Sequence, residues 1–424
     1  MSTERACEVT HLCLLEGDCP WCGAWVVRGR VADDAPGERG ERRWDIQAAL
    51  AALDTPDPAA RGVVLSNAEE HGPRIEEALP VFRKALADPD PAGRMVATSA
   101  LLLRGDKLFA DEAEWLEAHL QRCPADLAAR GLLLGRYFLR SDDFEADALA
   151  RQGHALWVIA NAPGSELAGD PLCDLRDPRY PEAYARGKEI WQRHVEASPT
   201  NTAVLGNAAN YFFAPDRALS EGLYRTAQEL EPEEPYWCQR LGHLYELEAG
   251  ARGLSEEAAH ELGRRALAEY EQAHARTKKA EVRFGLLVHL AKAAFTAGDR
   301  DKARRYAREQ LALAALPAFS DTAGLAIFHG NTVLGWLALQ DGDVEGAKRH
   351  LIEAGKTPGY ATLCSFGPGM MLAKELLERG ERVAVLEYLR LCSAFWQTDD
   401  QRIDLWIYQV EQGEVPDFGT NLAY

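Results

Sequence analysis

The chain predicts an all-α protein built of stacked helix-turn-helix repeats. Three observations predict it. From about residue 46 onward Ala, Leu, Glu and Arg dominate, with apolar residues three and four apart and few β-branched runs. Short motifs recur at a nominal period of about 34 residues. Signatures of other architectures, such as strand alternation or an apolar run of roughly 18 residues that could span a membrane, are missing. The 424 residues carry 47 basic and 66 acidic side chains, a net charge of −19, with 47% hydrophobic and 27% charged residues. Those proportions predict a folded chain, and the excess of acids predicts that neither nucleic acid nor an anionic membrane surface is a partner. The N-terminus has no signal-peptide core, so a cytoplasmic protein is expected.

Residues 1–30 form the first segment. Four of the nine cysteines, Cys7, Cys13, Cys19 and Cys22, fall here together with His11, while Cys123, Cys173, Cys238, Cys364 and Cys392 are scattered. This is not the spacing of a disulfide framework, and the scattered five are expected to be buried thiols. Cys19-Pro20-Trp21-Cys22-Gly23 resembles a zinc-ribbon knuckle, whose turn brings two thiolates to about 2.3 Å from one tetrahedral ion. The resemblance implies a structural Zn2+ held by Cys19 and Cys22. His11 and Cys13 are the favoured completing pair and Cys7 is the reserve, since a second Cys-x-x-Cys is absent. The same four residues also resemble a glutaredoxin dithiol, although the strand and long helix of a redox fold do not flank them. Residues 31–45 mix Arg39, Arg42 and Arg43 with Asp33, Asp34, Glu38 and Glu41, which predicts a solvated linker.

Residues 46–160 carry the first set of repeats. Pro56-Asp57-Pro58-Ala59-Ala60-Arg61 returns as Pro89-Asp90-Pro91-Ala92-Gly93-Arg94 and, more loosely, as Cys123-Pro124-Ala125-Asp126-Leu127-Ala128-Ala129-Arg130. Pro and Asp suit a helix start, and the Leu/Ala run after each arginine supplies a face to bury. These copies resemble HEAT repeats. Residues 161–182, from Ala162-Pro163-Gly164-Ser165 to Arg179-Tyr180-Pro181, have no periodicity and are expected to be a crossover loop or domain boundary.

Residues 183–412 carry a second set. Leu205-Gly206, Leu241-Gly242, Leu290-Ala291, Leu334-Gly335 and Leu372-Ala373 open five successive copies. With Tyr245 on the first helix and Ala266, Tyr270 and Ala273 on the second, the copy at Leu241 is similar to a tetratricopeptide repeat, as are those with Ser220, Tyr224, Ala227 and Pro232, or with Gly342, Ala347, Leu351 and Ala354. The segment from Tyr245 to Ala266 is about twelve residues longer than the family unit, and the register there stays open. The resemblance implies a right-handed α-solenoid whose neighbouring repeats share one core. Residues 413–424, with Phe418, Leu422 and Tyr424 after Pro416, are expected to pack as a tail on the last repeat.

Motifs that carry chemistry by fixed spacing, such as His-Glu-x-x-His, Gly-x-Ser-x-Gly or a phosphate-binding Gly loop, do not occur. In the tetratricopeptide register the concave helices carry Asn207, Asn210 and Tyr211, then Gln239, His243 and Glu246, then Lys292 and Phe295, then Trp336, then Lys374. The resemblance implies that these bind an extended protein or peptide segment. A carboxylate clamp of the cochaperone type is not expected, because Ala203 and Arg240 stand where that subclass places polar partners. The leading expectation is a noncatalytic, bacterial-type scaffold or adaptor. Two alternatives stay open: a thiol-redox or metal-dependent enzyme centred on Cys19 and Cys22 with the repeats as recognition arm, and a regulatory subunit of a separately encoded enzyme.

Overall fold

The computed structural model describes residues 5–6, 17–18, 25–27, 30–31, 46–55, 57–71, 74–139, 144–251, 253–396 and 401–422. Near the N-terminus four short strands, β1 (Arg5–Ala6), β2 (Gly17–Asp18), β3 (Trp25–Val27) and β4 (Arg30–Val31), pair antiparallel in the order β1-β4-β3-β2. Cys7, His11, Cys13, Cys19 and Cys22 lie outside the described residues, as does all but the first residue of the expected linker 31–45.

From residue 46 the described chain is all-α, a helical-repeat fold. The first ten helices are α1 (Ile46–Ala52), α2 (Pro58–His71), α3 (Ile75–Leu86), α4 (Pro91–Asp106), α5 (Ala110–Arg122), α6 (Leu127–Leu139), α7 (Phe144–Asn161), α8 (Pro181–Ala197), α9 (Thr202–Phe212) and α10 (Arg217–Leu230). They are followed by α11 (Pro235–Ala249), α12 (Glu256–Arg276), α13 (Ala280–Thr296), α14 (Arg300–Ala314), α15 (Ala323–Gln340), α16 (Val344–Gly355), α17 (Ala361–Phe366), α18 (Met371–Glu378), α19 (Arg382–Cys392) and α20 (Arg402–Glu411). The chain divides into two compact units, Met1–Leu223 and Tyr224–Tyr424. No helix among the described residues is long and apolar enough to cross a membrane.

In the first unit the recurring arginine makes the same contact in each copy. Arg61 Nη1 donates to Thr55 O (3.0 Å), Arg94 Nη1 to Asp88 O (3.0 Å) and Arg130 Nη2 to Pro124 O (2.8 Å), in each case a carbonyl six residues back in the turn before its helix. The guanidinium, seated in the first turn, thus closes the inter-helix turn on itself, which explains the Asp-x-x-x-Arg spacing. The Asp90 side chain accepts from Ala92 N (3.1 Å) and the Asp126 side chain from Ala129 N (3.3 Å), capping helix starts that would otherwise leave donors bare. Glycines set the depth of packing. A Cβ on Gly105 would lie 2.3 Å from Leu132 O, and one on Gly135 2.1 Å from Leu102 O, so α4 and α6 meet backbone to backbone.

The segment 161–182 lies inside the first unit. Its prolines and glycines keep it out of the α-helix, yet Leu167, Leu172, Cys173 and Leu175 are buried. Two single 3-10 turns, Glu166–Gly169 and Pro171–Cys173, are capped by Ser165 and Asp170. The result is a loop glued to the helices by apolar side chains.

In the second unit the pairs are antiparallel. Along α11 and α12, Cys238 Sγ meets Arg276 (2.8 Å), Gly242 faces the Tyr270 ring, and the Tyr245 hydroxyl meets Arg265 (2.9 Å). Leu241, Tyr245, Ala266, Tyr270 and Ala273 are all buried. The extra residues between Tyr245 and Ala266 are a loop after Ala249 and a 21-residue α12. A Cβ on Gly242 would sit 2.7 Å from the Tyr270 ring and one on Gly335 2.4 Å from Leu372, which is why small residues recur there. Of the scattered cysteines, Cys173, Cys238 and Cys392 are buried and Cys364 partly so, whereas Cys123 is exposed because it ends α5 in the turn before Asp126.

Candidate binding pocket

The sequence register placed ten residues on a binding surface, and the structure separates them. Three are occupied elsewhere. Asn207 Nδ2 donates to Pro163 O (2.9 Å) and Ser165 O (2.8 Å), and Asn210 Nδ2 to Gly169 O (3.4 Å). The buried Tyr211 donates its hydroxyl to Tyr184 O (2.9 Å). All three therefore hold the 161–182 loop and the helix beside it. The two amides bond carbonyls of that loop, and the hydroxyl bonds a carbonyl in the first turn of α8.

Four others come together in the second unit. Glu246, Lys292, Phe295 and Trp336 line one pocket of about 450 Å³, whose remaining wall includes Leu247, Gln340, Met371, Glu375, Arg379 and Leu422. Phe295 of α13 and Trp336 of α15 stack, ring centroids 5.1 Å apart and 28° from parallel. The Trp336 indole N–H is buried with no hydrogen-bond acceptor. Ion pairs stand on two walls: Lys292 with Glu246 at 3.0 Å, and Arg379 with Glu375 at 3.6 Å.

Glu246 is the best-held carboxylate of the pocket. Its Oε2 accepts from Tyr270 OH (2.7 Å) and from His289 Nδ1 (2.9 Å), while Oε1 faces Lys292. An ionised carboxylate only accepts, so Nδ1 of His289 bears a proton in this contact. Burial pushes the Glu246 acid up, and the His289 hydrogen bond and charge, with Lys292 and Tyr270, outweigh it and hold the group well below the usual carboxylate range. His243 contacts the His289 ring (6.4 Å between centroids), and burial lowers its basicity. His329 on α15 is pushed down to about 3 by burial, with Lys292 and His289 adding to it. The pocket lining thus joins an aromatic pair, Phe295 and Trp336, to ion pairs on two walls.

Lys374 belongs to the α18 surface but not to the pocket; it lies 3.9 Å from Glu378. Met371 and Glu375, four apart, form the wall instead. Each helical residue turns about 100°, so a register one residue off moves the side chain to another face. Gln239 is half-buried away from the lining residues. Tyr270 and His289 escaped the sequence reading as site residues because nothing in one chain's spacing tells a core tyrosine from one that clasps a pocket carboxylate. Among the described residues no group of three His, Cys, Asp or Glu side chains is arranged to hold a metal.

No protein-family model and no curated protein matches the chain. Solved structures do. The human IFIT1 dimer with m7Gppp-AAAA matches at 18% identity and a TM-score of 0.44, over 87% of this chain and 83% of that one. The human IFIT1 dimer with PPP-AAAA matches at 19% and 0.42, over 82% of each. The exclusion of nucleic acid drawn from net charge is corrected here, since the matched structures hold capped and triphosphate RNA. The physical reason is one of range: a total of −19 sums the whole chain, whereas a bound phosphate senses the charges within about 8–10 Å.

Proposed function

We propose that this helical-repeat protein is a noncatalytic scaffold or adaptor of the tetratricopeptide type, with HEAT-like hairpins ahead of it, and that the pocket on α11, α13, α15 and α18 receives a segment of a partner protein. The observation that carries the reading is the stacked Phe295–Trp336 pair lining an open pocket between two ion pairs. Such a pocket suits an apolar side chain as anchor, with polar backbone or charged neighbours meeting the rim. Glu246 is already triply engaged, so its role is to hold Lys292 and the helices in place rather than to move protons. A regulatory subunit would use the same surface, the partner then being an enzyme.

Zinc is part of the proposal for the N-terminal segment. Cys19 and Cys22, completed by two of His11, Cys13 and Cys7, would stabilise residues that have little apolar area of their own. The thiol-redox alternative uses the same cysteines and predicts a different chemistry, alkylation of an accessible thiolate instead of a stably bound ion.

The test is capture with the tagged full-length chain, identification of the bound species, and titration of the purified candidate against wild type and Trp336→Ala. Capped and triphosphate oligonucleotides are titrated alongside. Affinity for a protein segment that depends on Trp336 supports the reading. Binding of the oligonucleotides alone, or protein binding indifferent to Trp336, overturns it.

A further inference from the structure

One wall of the pocket is not an α-helix. After α20 the segment Asp417–Leu422 returns to the pocket, and two buried side chains fix it. Phe418 is buried edge-on against Trp406, with ring centroids 5.0 Å apart. Asn421 is 1% exposed; its Nδ2 donates to Phe366 O (3.1 Å) and to Pro368 O (3.0 Å), and its main-chain carbonyl accepts from Met370 N (2.8 Å). Gly419, at φ +54°, makes the bend between the two anchors. The next side chain after Asn421 is Leu422, which lines the pocket and packs on the same apolar cluster as Trp336.

The carbonyls that Asn421 holds belong to the turn entering α18, and α18 supplies Met371 and Glu375 to the pocket. One amide therefore ties two walls together. Its side-chain oxygen is buried without a partner, so the group is oriented by its donors alone. A residue needed merely to fill space there would not have to donate twice.

Building on the pocket reading, we infer that Leu422 is a specificity-determining wall of the binding site and that Asn421 is the positioning residue that sets it, so that the size of side chain the pocket accepts is governed by a strap outside the α-helical repeats, ending in the single 3-10 turn Gly419–Leu422. The strap, unlike the helices, can be released without dismantling a repeat, because its anchors are Phe418 and Asn421.

The full-length chain with anilinonaphthalene sulfonate as probe tests this. The dye is aromatic and should fluoresce in the pocket of the wild type and lose about tenfold in affinity in Phe295→Ala, which marks the signal as coming from this site. Leu422→Trp should overfill the site and weaken dye binding by about tenfold. Adding Asn421→Ala to Leu422→Trp should return binding to within about threefold of wild type, because the freed strap carries the bulky side chain away; a purely structural asparagine would make matters worse. Dye binding that Leu422→Trp leaves unchanged, or a double variant that stays blocked while its circular dichroism matches wild type, overturns the strap's role. Dye signal indifferent to Phe295→Ala removes the pocket itself, and the inference with it.

Discussion

At Glu246 three helices meet, since the carboxylate of α11 takes the Tyr270 hydroxyl of α12 and the His289 and Lys292 side chains of α13. Removing it leaves a half-buried lysine ammonium and two donors without their acceptor. Glu246→Ala should therefore lower stability by about 2 kcal/mol, read as a shift in the urea midpoint. A change under about 1 kcal/mol would mean that water already satisfies the cluster. His329 predicts a pH dependence. Its folded value of about 3 lies below its ordinary 6.5, so between those values the unfolded chain takes up a proton that the folded chain refuses. Stability is then fully present above 6.5 and falls as pH drops. Glu246, held low, adds to the loss below its ordinary 4.5, in the same direction. Going from pH 7 to 5, His329→Gln should spare about 2 kcal/mol of that loss. An identical pH profile in the variant would contradict the assignment. None of these roles is legible in the sequence: register alone puts Glu246 in the groove, and His329 is one of several dispersed histidines.

Among the elements, the helical hairpins were legible because their cause is local. Asp at the helix start, Arg four residues on and Gly or Ala at the crossing leave a spacing in the sequence, and the structure shows what each does. Arg130 is the fullest example, bonding Pro124 O while its guanidinium lies 3.8 Å from the Trp157 ring centroid. Arg130→Leu should cost about 2 kcal/mol, from the lost carbonyl bonds and ring contact together, measured by thermal unfolding. Gly135→Ala is the sharper probe of packing. Its Cβ would meet the Leu102 carbonyl, so at least about 2 kcal/mol of destabilisation is expected, and a neutral variant would show that α4 and α6 do not touch as described. What was not legible depended on contacts far apart in the chain. Asn207, Asn210 and Tyr211 sit on the expected helix face, and only the fold shows that the 161–182 loop has taken them. Lys374 missed the pocket because α18 is a short helix entered through Gly367-Pro368-Gly369, which resets the helical phase.

For the molecule as a whole, the sequence announces a repeat architecture and leaves open what it holds, since stacked hairpins are shared by binders of many kinds. The N-terminal cysteines make a separate prediction. Protein purified without chelator should carry one zinc, and Cys19→Ser with Cys22→Ser should abolish it while leaving the helical circular dichroism intact; equal metal in both proteins would remove the zinc reading. The central claim is that the pocket lined by Phe295 and Trp336 is the binding site. The most direct measurement is the affinity of wild type and Trp336→Ala for the same captured protein segment, taken beside their melting curves. The account predicts a loss of about 2 kcal/mol, roughly 30-fold, with an unchanged midpoint. Equal affinities, or a loss that merely follows unfolding of the variant, would contradict it.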